Sequence, residues 1–285
     1  MSAALLVFGR TGQVGSYLAE MPGVVALGRE AADLADPDAC AAAIRAHAPA
    51  AVINAAAWTA VDAAEEDPQG AHLANAAAPG AMAQACARLG IPLVHVSTDY
   101  VFDGSGARPW RPEDTPAPLN AYGRSKLAGE RAVAGAGGVH AVLRTSWVVS
   151  ARGRNFLTTM LRLGAGRDRL SVVADQIGGP TPAADLAAAC HAVALRLIEA
   201  PDLSGLYHYA GAPDTSWAGF ARAIMEEAGL ACEIIDIATA DWPTPAARPL
   251  NSRLDCGGLA ALGLRRPDWR VGLRAALAEL KGETP

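Results

Sequence analysis

Short apolar runs alternate with longer amphipathic stretches along the first half of the chain. The runs have the length of buried strands, and the stretches between them are long enough for helices. The predicted strands are 4–8, 24–27, 51–54, 93–97 and 141–145. The predicted helices are 13–20, 39–48, 70–89 and 122–134. This alternation predicts an α/β fold, a Rossmann-like, doubly wound parallel sheet with helices on both faces.

The pattern loosens after about residue 150. Helices are predicted at 156–163, 185–199, 217–228 and 267–280, and strands at 170–174, 206–210 and 232–237. We therefore assign residues 1–150 to the sheet domain, with 170–200 returning to it. Residues 151–169 and 201–285 form a smaller C-terminal lobe. We expect the two parts to pack tightly, because no low-complexity linker separates them.

Composition excludes several classes of function. The 285 residues carry a net charge of −5 with scattered arginines, so the chain lacks the basic stripe that nucleic acid binding needs. No apolar run approaches the roughly 18 residues of a membrane span, and no leader pattern opens the chain. The five cysteines form no CxxC pair, and the six histidines show no zinc spacing. We expect a cytoplasmic protein that binds neither nucleic acid nor membrane.

A glycine-rich loop follows the first predicted strand and opens the first predicted helix. Glycine permits a sharp turn there and lets a pyrophosphate approach the backbone, as in dinucleotide-binding domains. The spacing is GxxGxxG, and the alternative is an ordinary strand–helix turn. The loop reads Gly9-Arg10-Thr11-Gly12-Gln13-Val14-Gly15, and its glycines are the predicted contacts with the cofactor.

The end of the second predicted strand bears on which dinucleotide binds. An NAD-specific site would offer an acid there, but this chain has Gly28 and Arg29. Arginine can pair with a 2′-phosphate, so NADPH is the preferred cofactor, with Arg10 as a second partner and NADH still possible. The alternative is that Arg29 is only solvated. Asp33 and Leu34 follow and are expected to border the adenine ring.

Two segments carry candidate catalytic side chains. Tyr122 and Lys126 are four residues apart on a predicted helix, so the phenol and the ammonium share one face. A nearby ammonium lowers the pKa of a tyrosine, which suits a proton donor to a carbonyl undergoing reduction. Thr98 directly follows the predicted strand 93–97, at the edge of the sheet where ligands bind, and can hydrogen-bond the same carbonyl.

The lysine strengthens this interpretation. A tyrosine and a lysine four residues apart arise often by chance, as a surface phenol and a solvated ammonium. Only two of the 24 basic residues are lysines, Lys126 and Lys281, so a position that needed only positive charge would be expected to carry arginine. A compact ammonium fits beside a phenol and beneath a ribose where a planar guanidinium does not.

These motifs together resemble the extended short-chain dehydrogenase/reductases. Within that family the chain is similar to the dTDP-4-dehydrorhamnose reductase branch, and the matching segments run nearly from end to end. The most specific are Ser-Thr-Asp-Tyr-Val-Phe-Asp-Gly at 97–104 and Arg-Pro-Leu-Asn-Ser-Arg-Leu at 248–254. The resemblance implies that NAD(P)H reduces the C4 ketone of a dTDP-linked deoxyhexulose, giving dTDP-L-rhamnose. The residues themselves leave dTDP and UDP open as the carrier.

The resemblance also implies roles for the site residues. Tyr122 would donate the proton, Lys126 would hold the nicotinamide ribose and tune Tyr122, Thr98 would orient the carbonyl, and Asp99 would adjust the local proton balance. The further cofactor contacts would be Gln13, Val14, Ala57, Trp58 and Thr59. The substrate contacts would be Thr98, Asp99, Trp147, Arg248, Asn251 and Arg253. Trp147 could instead pack between domains, and Arg253 could be structural.

The chain departs from its family at one site and leaves two other functions open. Some members carry Glu in the first helix as part of a magnesium site at a dimer interface, whereas this chain has Tyr17. We therefore predict no metal and leave open a monomer or a homodimer. One alternative function is a non-catalytic NADP-binding subunit, like the regulatory subunit of methionine adenosyltransferase. The other is a nucleotide-sugar epimerase or dehydratase.

Overall fold

The largest sheet has six parallel strands in the order β10-β5-β4-β3-β1-β2. The computed structural model describes residues 4–283. The strands of this sheet are β1 (Leu5–Phe8), β2 (Val24–Leu27), β3 (Ala51–Asn54), β4 (Leu93–Thr98), β5 (His140–Thr145) and β10 (Gly205–His208). The predicted α/β, Rossmann-like fold is confirmed.

Helices connect these strands and cover the sheet. They are α1 (Gln13–Leu18), α2 (Pro37–His47), α3 (Ala63–Glu66), α4 (Pro68–His72), α5 (Ala78–Leu89), α6 (Ala121–Gly135), α7 (Phe156–Gly164), α8 (Ala183–Glu199), α9 (Trp217–Ala228) and α10 (Trp269–Lys281). The shorter strands are β6 (Val148–Val149), β7 (Arg169–Val173), β8 (Ile177–Gly178), β9 (Thr181–Pro182), β11 (Thr215–Ser216), β12 (Glu233–Ile237) and β13 (Asn251–Ser252). Within residues 4–283, none of the helices has both the length and the apolar character to cross a membrane.

Both faces of the main sheet are buried, which explains the unbroken apolar runs of its strands. Leu5 and Val7 of β1 pack into a core shared with α1 and α8. Leu6 and Phe8 point the other way, into a core shared with α2 and α5. Successive side chains of a strand point to opposite faces, so a strand covered on both faces is apolar at every position.

A separate core lies outside the main sheet and changes the predicted division of the chain. β7 pairs in parallel with β12, and α7, α9 and α10 pack around them. β7 is therefore not part of the sheet domain, to which we assigned residues 170–200. Within that segment, α8 does pack on the main sheet. Conversely, β10 joins the sheet beside β5, although 201–285 was assigned to the lobe. Short apolar runs do not reveal which strand they pair with, and the rest of the division stays a prediction.

The helix predicted over 70–89 is interrupted by a π-helical turn at Leu73–Ala77. Pro79 has no N–H to donate to the carbonyl of Asn75, four residues earlier. That carbonyl faces Gly129 of α6 so closely that a Cβ there would collide with it. The interruption brings the Asn75 side chain to the candidate site, consistent with the frequent occurrence of π-bulges at functional sites.

Candidate active site and cofactor cleft

The glycine loop turns at the carboxyl end of β1, against the chain that leaves β3. Gly9 has a φ of 101°, and a Cβ there would stand 2.9 Å from the backbone nitrogen of Ala56. A Cβ on Gly15 would collide with the Gly9 carbonyl, to which the Gly12 N–H donates a hydrogen bond of 2.9 Å. The loop exposes bare backbone between β1 and β3, where the strand order reverses and such sheets bind dinucleotides.

Two other predicted residues of this loop serve the fold as well. The Gln13 side chain donates to the Val148 carbonyl (3.4 Å) and accepts from the Ser150 hydroxyl (3.0 Å), which ties α1 to the chain beyond β5. The Val14 side chain is buried in the core beneath α1. Any contact of Val14 with a cofactor would therefore come from its backbone, and both cofactor roles stay predictions.

The corner predicted to hold a 2′-phosphate contains an acid as well as two arginines. Arg10 pairs with Glu30 at 2.6 Å, and both side chains are more than half exposed. The Glu30 carboxylate also covers Gly28, where it would collide with a Cβ. Arg29 is exposed beside them. In this arrangement Arg29 is better placed than Arg10 to meet a further anion, because Arg10 already has a carboxylate partner.

The predicted adenine neighbours lie just beyond this corner. Asp33 accepts a hydrogen bond from the Ala35 N–H (3.0 Å), and Leu34 is partly buried against the core under α2. The structure places both residues after the end of β2, as predicted, and their contact with an adenine stays a prediction.

The segment of Ala57, Trp58 and Thr59 is held by Asn75 from the π-helical turn. The Asn75 amide accepts from the Trp58 N–H (2.8 Å) and donates to the Trp58 carbonyl (3.0 Å) and to the Ser125 hydroxyl of α6 (3.0 Å). Ala57 is half-buried and Thr59 exposed. The predicted cofactor segment is thereby connected to the helix that carries Tyr122 and Lys126.

The predicted catalytic side chains converge where β4 ends and α6 begins. Asn120 caps α6 by accepting from the Gly123 N–H (2.8 Å), which fixes the turn that carries Tyr122. Thr98 is the last residue of β4. Burial raises the pKa of Tyr122, and the Thr98 hydroxyl lowers it by a smaller amount. Tyr122, Lys126, Thr98 and Asp99 are all at most 9% exposed.

The prediction that Lys126 lowers the pKa of Tyr122 is wrong for this structure. Burial raises the pKa of Tyr122 to about 12, and the charge of Lys126 does not contribute to the shift. The Lys126 nitrogen instead donates to the Val96 carbonyl (2.7 Å) and lies 3.3 Å from His95 Nε2. Burial lowers the pKa of Lys126 to about 8, although the charge of Glu130 opposes this shift. The tyrosine is thus held as a protonated phenol.

Asp99 is an unusual carboxylate beside this pair. Its Oδ1 accepts from the Thr98 hydroxyl (3.1 Å), whereas its Oδ2 is buried without a hydrogen-bond partner among residues 4–283. Burial raises the pKa of Asp99 to about 6. A carboxyl group that titrates near neutral pH can hold or release a proton there, and the role of Asp99 in the local proton balance stays a prediction.

Trp147 occupies a backbone conformation that few tryptophans adopt. Its φ is 51°, and its ring stacks on Trp217 with the ring centroids 3.7 Å apart. One face of the indole therefore packs against the lobe, as the alternative interpretation of Trp147 expected. The predicted stacking of a sugar on Trp147 would have to use the other side or the edge of the ring, and stays a prediction.

Arg248 lies on a proline-rich loop that is anchored to the start of α6 and to the segment after β3. Its guanidinium pairs with Asp62 (2.8 Å), which also accepts from the Ala246 N–H (3.1 Å). The Asn120 amide donates to the Ala247 carbonyl (2.8 Å), so the residue that caps α6 also holds this loop. Burial raises the pKa of Tyr100, the neighbour of Asp99, and the nearby charge of Arg248 lowers it by a smaller amount.

Asn251 and Arg253 bond mainly within the protein. The buried Asn251 amide donates to the Arg108 carbonyl (2.8 Å) and accepts from the Arg253 guanidinium (3.0 Å). This pattern fits the alternative that Arg253 is structural. The predicted contacts of both residues with a substrate stay predictions.

Comparisons with known proteins identify the family of this chain. A family model described as RmlD substrate binding domain matches residues 3–281. The chain belongs to this family. It is 43% identical over 281 residues to the dTDP-4-dehydrorhamnose reductase of Sinorhizobium fredii, with 95% of each chain covered. It is 41% identical over 292 residues to that of Escherichia coli K12, with 97% of each covered.

A solved structure agrees with these relatives of the RmlD family. The crystal structure of dTDP-4-dehydrorhamnose reductase from Bacillus anthracis in complex with NADP has a TM-score of 0.91 at 34% identity, covering 98% of this chain and 100% of that one. The resemblance stated from the motifs is therefore confirmed.

Tyr17, at the position where the resemblance led us to look for a magnesium-binding Glu, belongs to a group of ion pairs around Arg152. The Tyr17 hydroxyl donates to Glu279 (2.6 Å), and the Arg152 guanidinium, 4.0 Å from the centre of the Tyr17 ring, pairs with Glu279 and Glu20. In the part of the chain that the structure describes, no three His, Cys, Asp or Glu residues are grouped to hold a metal. That the protein works without a metal stays a prediction.

Four residues of the site were not identified from the sequence: Glu30, Asn75, His95 and Asn120. Glu30 follows Arg29 directly, so its nearness to the second strand could have been noticed. Asn120 precedes a predicted helix and is a favoured capping residue, which was a usable signal. Asn75 and His95 look like ordinary members of a helix and a strand until the tertiary contacts are known.

The raised pKa of Asp99 predicts a pH-dependent stability difference. A carboxyl group whose pKa is higher in the folded than in the unfolded state destabilises the folded protein when it ionises. The contribution of Asp99 to the stability of the folded protein is therefore full below its unfolded pKa of 3.8 and is lost as pH rises through about 6. Asp99→Asn cannot ionise, so we expect its stability relative to wild type to improve by on the order of 3 kcal/mol between pH 4 and pH 7. Urea unfolding across this range measures it, and a constant difference would contradict the raised pKa.

Proposed function

We propose that the chain reduces the C4 ketone of dTDP-4-dehydrorhamnose with NADPH and forms dTDP-L-rhamnose. The observation that carries this proposal is the convergence of Thr98, Tyr122 and Lys126 at the carboxyl edge of the sheet. They lie in a chain more than 40% identical, over nearly its whole length, to curated reductases of that substrate. A subunit that only bound the cofactor would not need the three together.

The glycine loop fits a dinucleotide because Gly9 and Gly12 present backbone without side chains at the reversal of strand order. Arg29 would meet the 2′-phosphate, and Ala57, Trp58 and Thr59 would line the opposite side of the cleft. Lys126 would hold the nicotinamide ribose. When bound, the reduced nicotinamide supplies a hydride to C4 and becomes NADP⁺.

The chain's own residues supply the second half of the reduction, a proton on the C4 oxygen. Tyr122 keeps its proton at neutral pH because burial raises its pKa to about 12, so it is an acid ready to donate. The Thr98 hydroxyl orients the same oxygen. Asp99, hydrogen-bonded to Thr98 and titrating near 6, is placed to restore a proton after turnover. Hydride and proton together convert the ketone to the alcohol.

We propose that the C-terminal lobe binds the rest of the substrate. Arg248 and Arg253 would contact the diphosphate, since a guanidinium fork matches phosphate oxygens, and Trp147 the sugar. Asn251 would act with Arg253, to which it is hydrogen-bonded. The carrier is dTDP in this proposal, with UDP as the alternative that a direct comparison of the two substrates tests.

We also propose a cytoplasmic enzyme, either a monomer or a homodimer, that binds neither nucleic acid nor membrane. The net charge of −5 and the scattered arginines support this setting, because both nucleic acid and the inner membrane leaflet attract basic surfaces.

The test is the substrate-dependent oxidation of NADPH by the purified protein, followed by the loss of absorbance of the reduced nicotinamide. We expect turnover with dTDP-4-dehydrorhamnose and less with the UDP-linked sugar. Folded protein that gives no turnover but binds another enzyme tightly would support the regulatory-subunit alternative. Protein that keeps a nicotinamide through purification and interconverts C4 epimers would support an epimerase.

The choice of NADPH predicts a selective effect of Arg29. Arg29→Ala is expected to raise the KM for NADPH about tenfold or more and to spare NADH, because a charge-assisted hydrogen bond to a 2′-phosphate contributes on the order of 1.5–3 kcal/mol. Arg45→Ala, at another exposed arginine on α2, is the matched control. Equal effects on both cofactors would contradict contact between Arg29 and the 2′-phosphate.

A further inference from the structure

Three buried side chains form a chain of nitrogen atoms that ends at Lys126. Asn54 closes β3, His95 lies on β4, and Lys126 is on α6; none is more than 2% exposed. Asn54 Nδ2 stands 3.1 Å from His95 Nδ1, and His95 Nε2 stands 3.3 Å from Lys126 Nζ. The proposed reduction gives His95 no role, so its contact with Lys126 needs an explanation.

The backbone fixes which way the Asn54 amide points. Asn54 Oδ1 accepts from the Ala56 N–H at 3.1 Å, on the segment that meets the glycine loop. Turning the amide over would set its NH₂ against that N–H, donor against donor. Asn54 therefore donates through Nδ2, and His95 Nδ1 must be the acceptor.

This orientation fixes the proton of His95. A neutral imidazole has one N–H, and if Nδ1 accepts, the hydrogen is on Nε2. Burial lowers the pKa of His95 well below its usual range, and a charge on Lys126 would lower it further, so the ring is neutral in either protonation state of the lysine. The Nε2–H then points at Lys126 Nζ. An uncharged amine can accept this hydrogen through its lone pair while still donating to the Val96 carbonyl, whereas an ammonium has no lone pair to offer.

The other charged groups near Lys126 oppose this preference only weakly. Glu130 lies one turn along α6 and favours the ammonium, but it is itself paired with Arg144 of β5 at 2.7 Å. Tyr122, on the preceding turn, is a neutral phenol, and Asp99 acts on Tyr122. His95 is thus the polar group in direct contact with the lysine that distinguishes its two protonation states.

We propose that His95 is a positioning residue for Lys126: Asn54 fixes its proton on Nε2, and that N–H holds the lysine nitrogen in place and favours the uncharged amine. The inference rests on the proposed function for its meaning, since it concerns the lysine that would hold the cofactor ribose beside Tyr122. It gives the site a lysine whose charge changes close to working pH instead of a permanent ammonium.

The presence of only two lysines makes a direct test possible. With lysine labelled with ¹³C at Cε, the protein gives one signal from buried Lys126 and one from Lys281, which a Lys281→Arg variant identifies. We expect the Lys126 signal of wild type to titrate with a midpoint near 8. Long-range ¹⁵N–¹H correlation should show His95 protonated on Nε2 and neutral across roughly pH 5–8, the range in which an ordinary imidazole changes its charge. A proton on Nδ1, or a charged ring, would overturn the proposal.

Two variants separate this role from a merely structural one. His95→Gln offers an amide that can turn its oxygen to the lysine, and Asn54→Asp draws the imidazole proton to Nδ1; both should raise the Lys126 midpoint by about one unit or more. His191→Gln, a half-buried histidine on α8, is the control and should leave it unchanged. A Lys126 midpoint that stays in place in both folded variants would overturn the proposal.

These measurements need neither substrate nor turnover. The role of His95 and the reductase activity can therefore be rejected independently of each other. Turnover of dTDP-4-dehydrorhamnose with an unmoved midpoint in His95→Gln leaves the reductase standing and removes the role of His95. A shifted midpoint without any turnover keeps the coupling of His95 to Lys126 and rejects the reductase. If both hold, the pH profile of kcat/KM should shift in His95→Gln in the same direction as the midpoint.

Discussion

Tyr122→Phe is expected to lower turnover of dTDP-4-dehydrorhamnose by about 10²–10⁴-fold, because the variant has no proton to give to the C4 oxygen. The loss should appear in kcat with little change in the KM for NADPH, since the phenylalanine ring keeps the packing of the buried tyrosine. Steady-state kinetics with NADPH varied at saturating sugar substrate measures both quantities.

Tyr100 provides a matched control for this change. Its ring meets that of Tyr122 edge to face with the centroids 5.6 Å apart, so Tyr100→Phe alters a phenol in the same surroundings. Tyr100→Phe is expected to keep most of the turnover, because the proton is assigned to Tyr122. Equal losses in the two variants, or full activity of Tyr122→Phe, would remove Tyr122 as the acid.

The sequence predicted the site's location because parallel strands place their carboxyl ends along one edge. Gly9 follows β1, Asn54 closes β3 and Thr98 closes β4, so local strand predictions were enough to bring them together. The four-residue spacing of Tyr122 and Lys126 likewise required only a helix.

The protonation states of the site could not be predicted in this way. The sequence suggested that the lysine would lower the pKa of Tyr122, but the effect of burial is larger and the Lys126 nitrogen is bonded to Val96 and His95 instead. Burial depends on long-range packing of α6 on β4, which no local pattern encodes. The interruption of the helix at Asn75 had a local signal in Pro79, but the close approach of the Asn75 carbonyl to Gly129 of α6 is a tertiary contact that no local pattern encodes.

Removing Arg144 should cost more stability than any other single change considered for this chain. Its guanidinium makes two hydrogen bonds with the Glu130 carboxylate (2.9 and 2.7 Å), and the side chains are 2% and 7% exposed. Ser97 also donates to Glu130. These contacts join β5, α6 and β4 directly behind the proposed catalytic residues.

Arg144→Met is expected to destabilise the protein by about 3–5 kcal/mol, because it leaves the Glu130 charge buried without its partner. The double variant Arg144→Met/Glu130→Gln removes both charges and should recover a large part of the loss, since paired burial itself contributes little net stability. Arg108→Met is the control: Arg108 makes a similar two-bond contact with Asp114, but its side chain is 60% exposed, so solvent already screens the pair and stability should barely change. Urea unfolding at constant m-value measures all three variants. A loss of the same size in Arg144→Met and Arg108→Met would show that burial does not govern this ion pair.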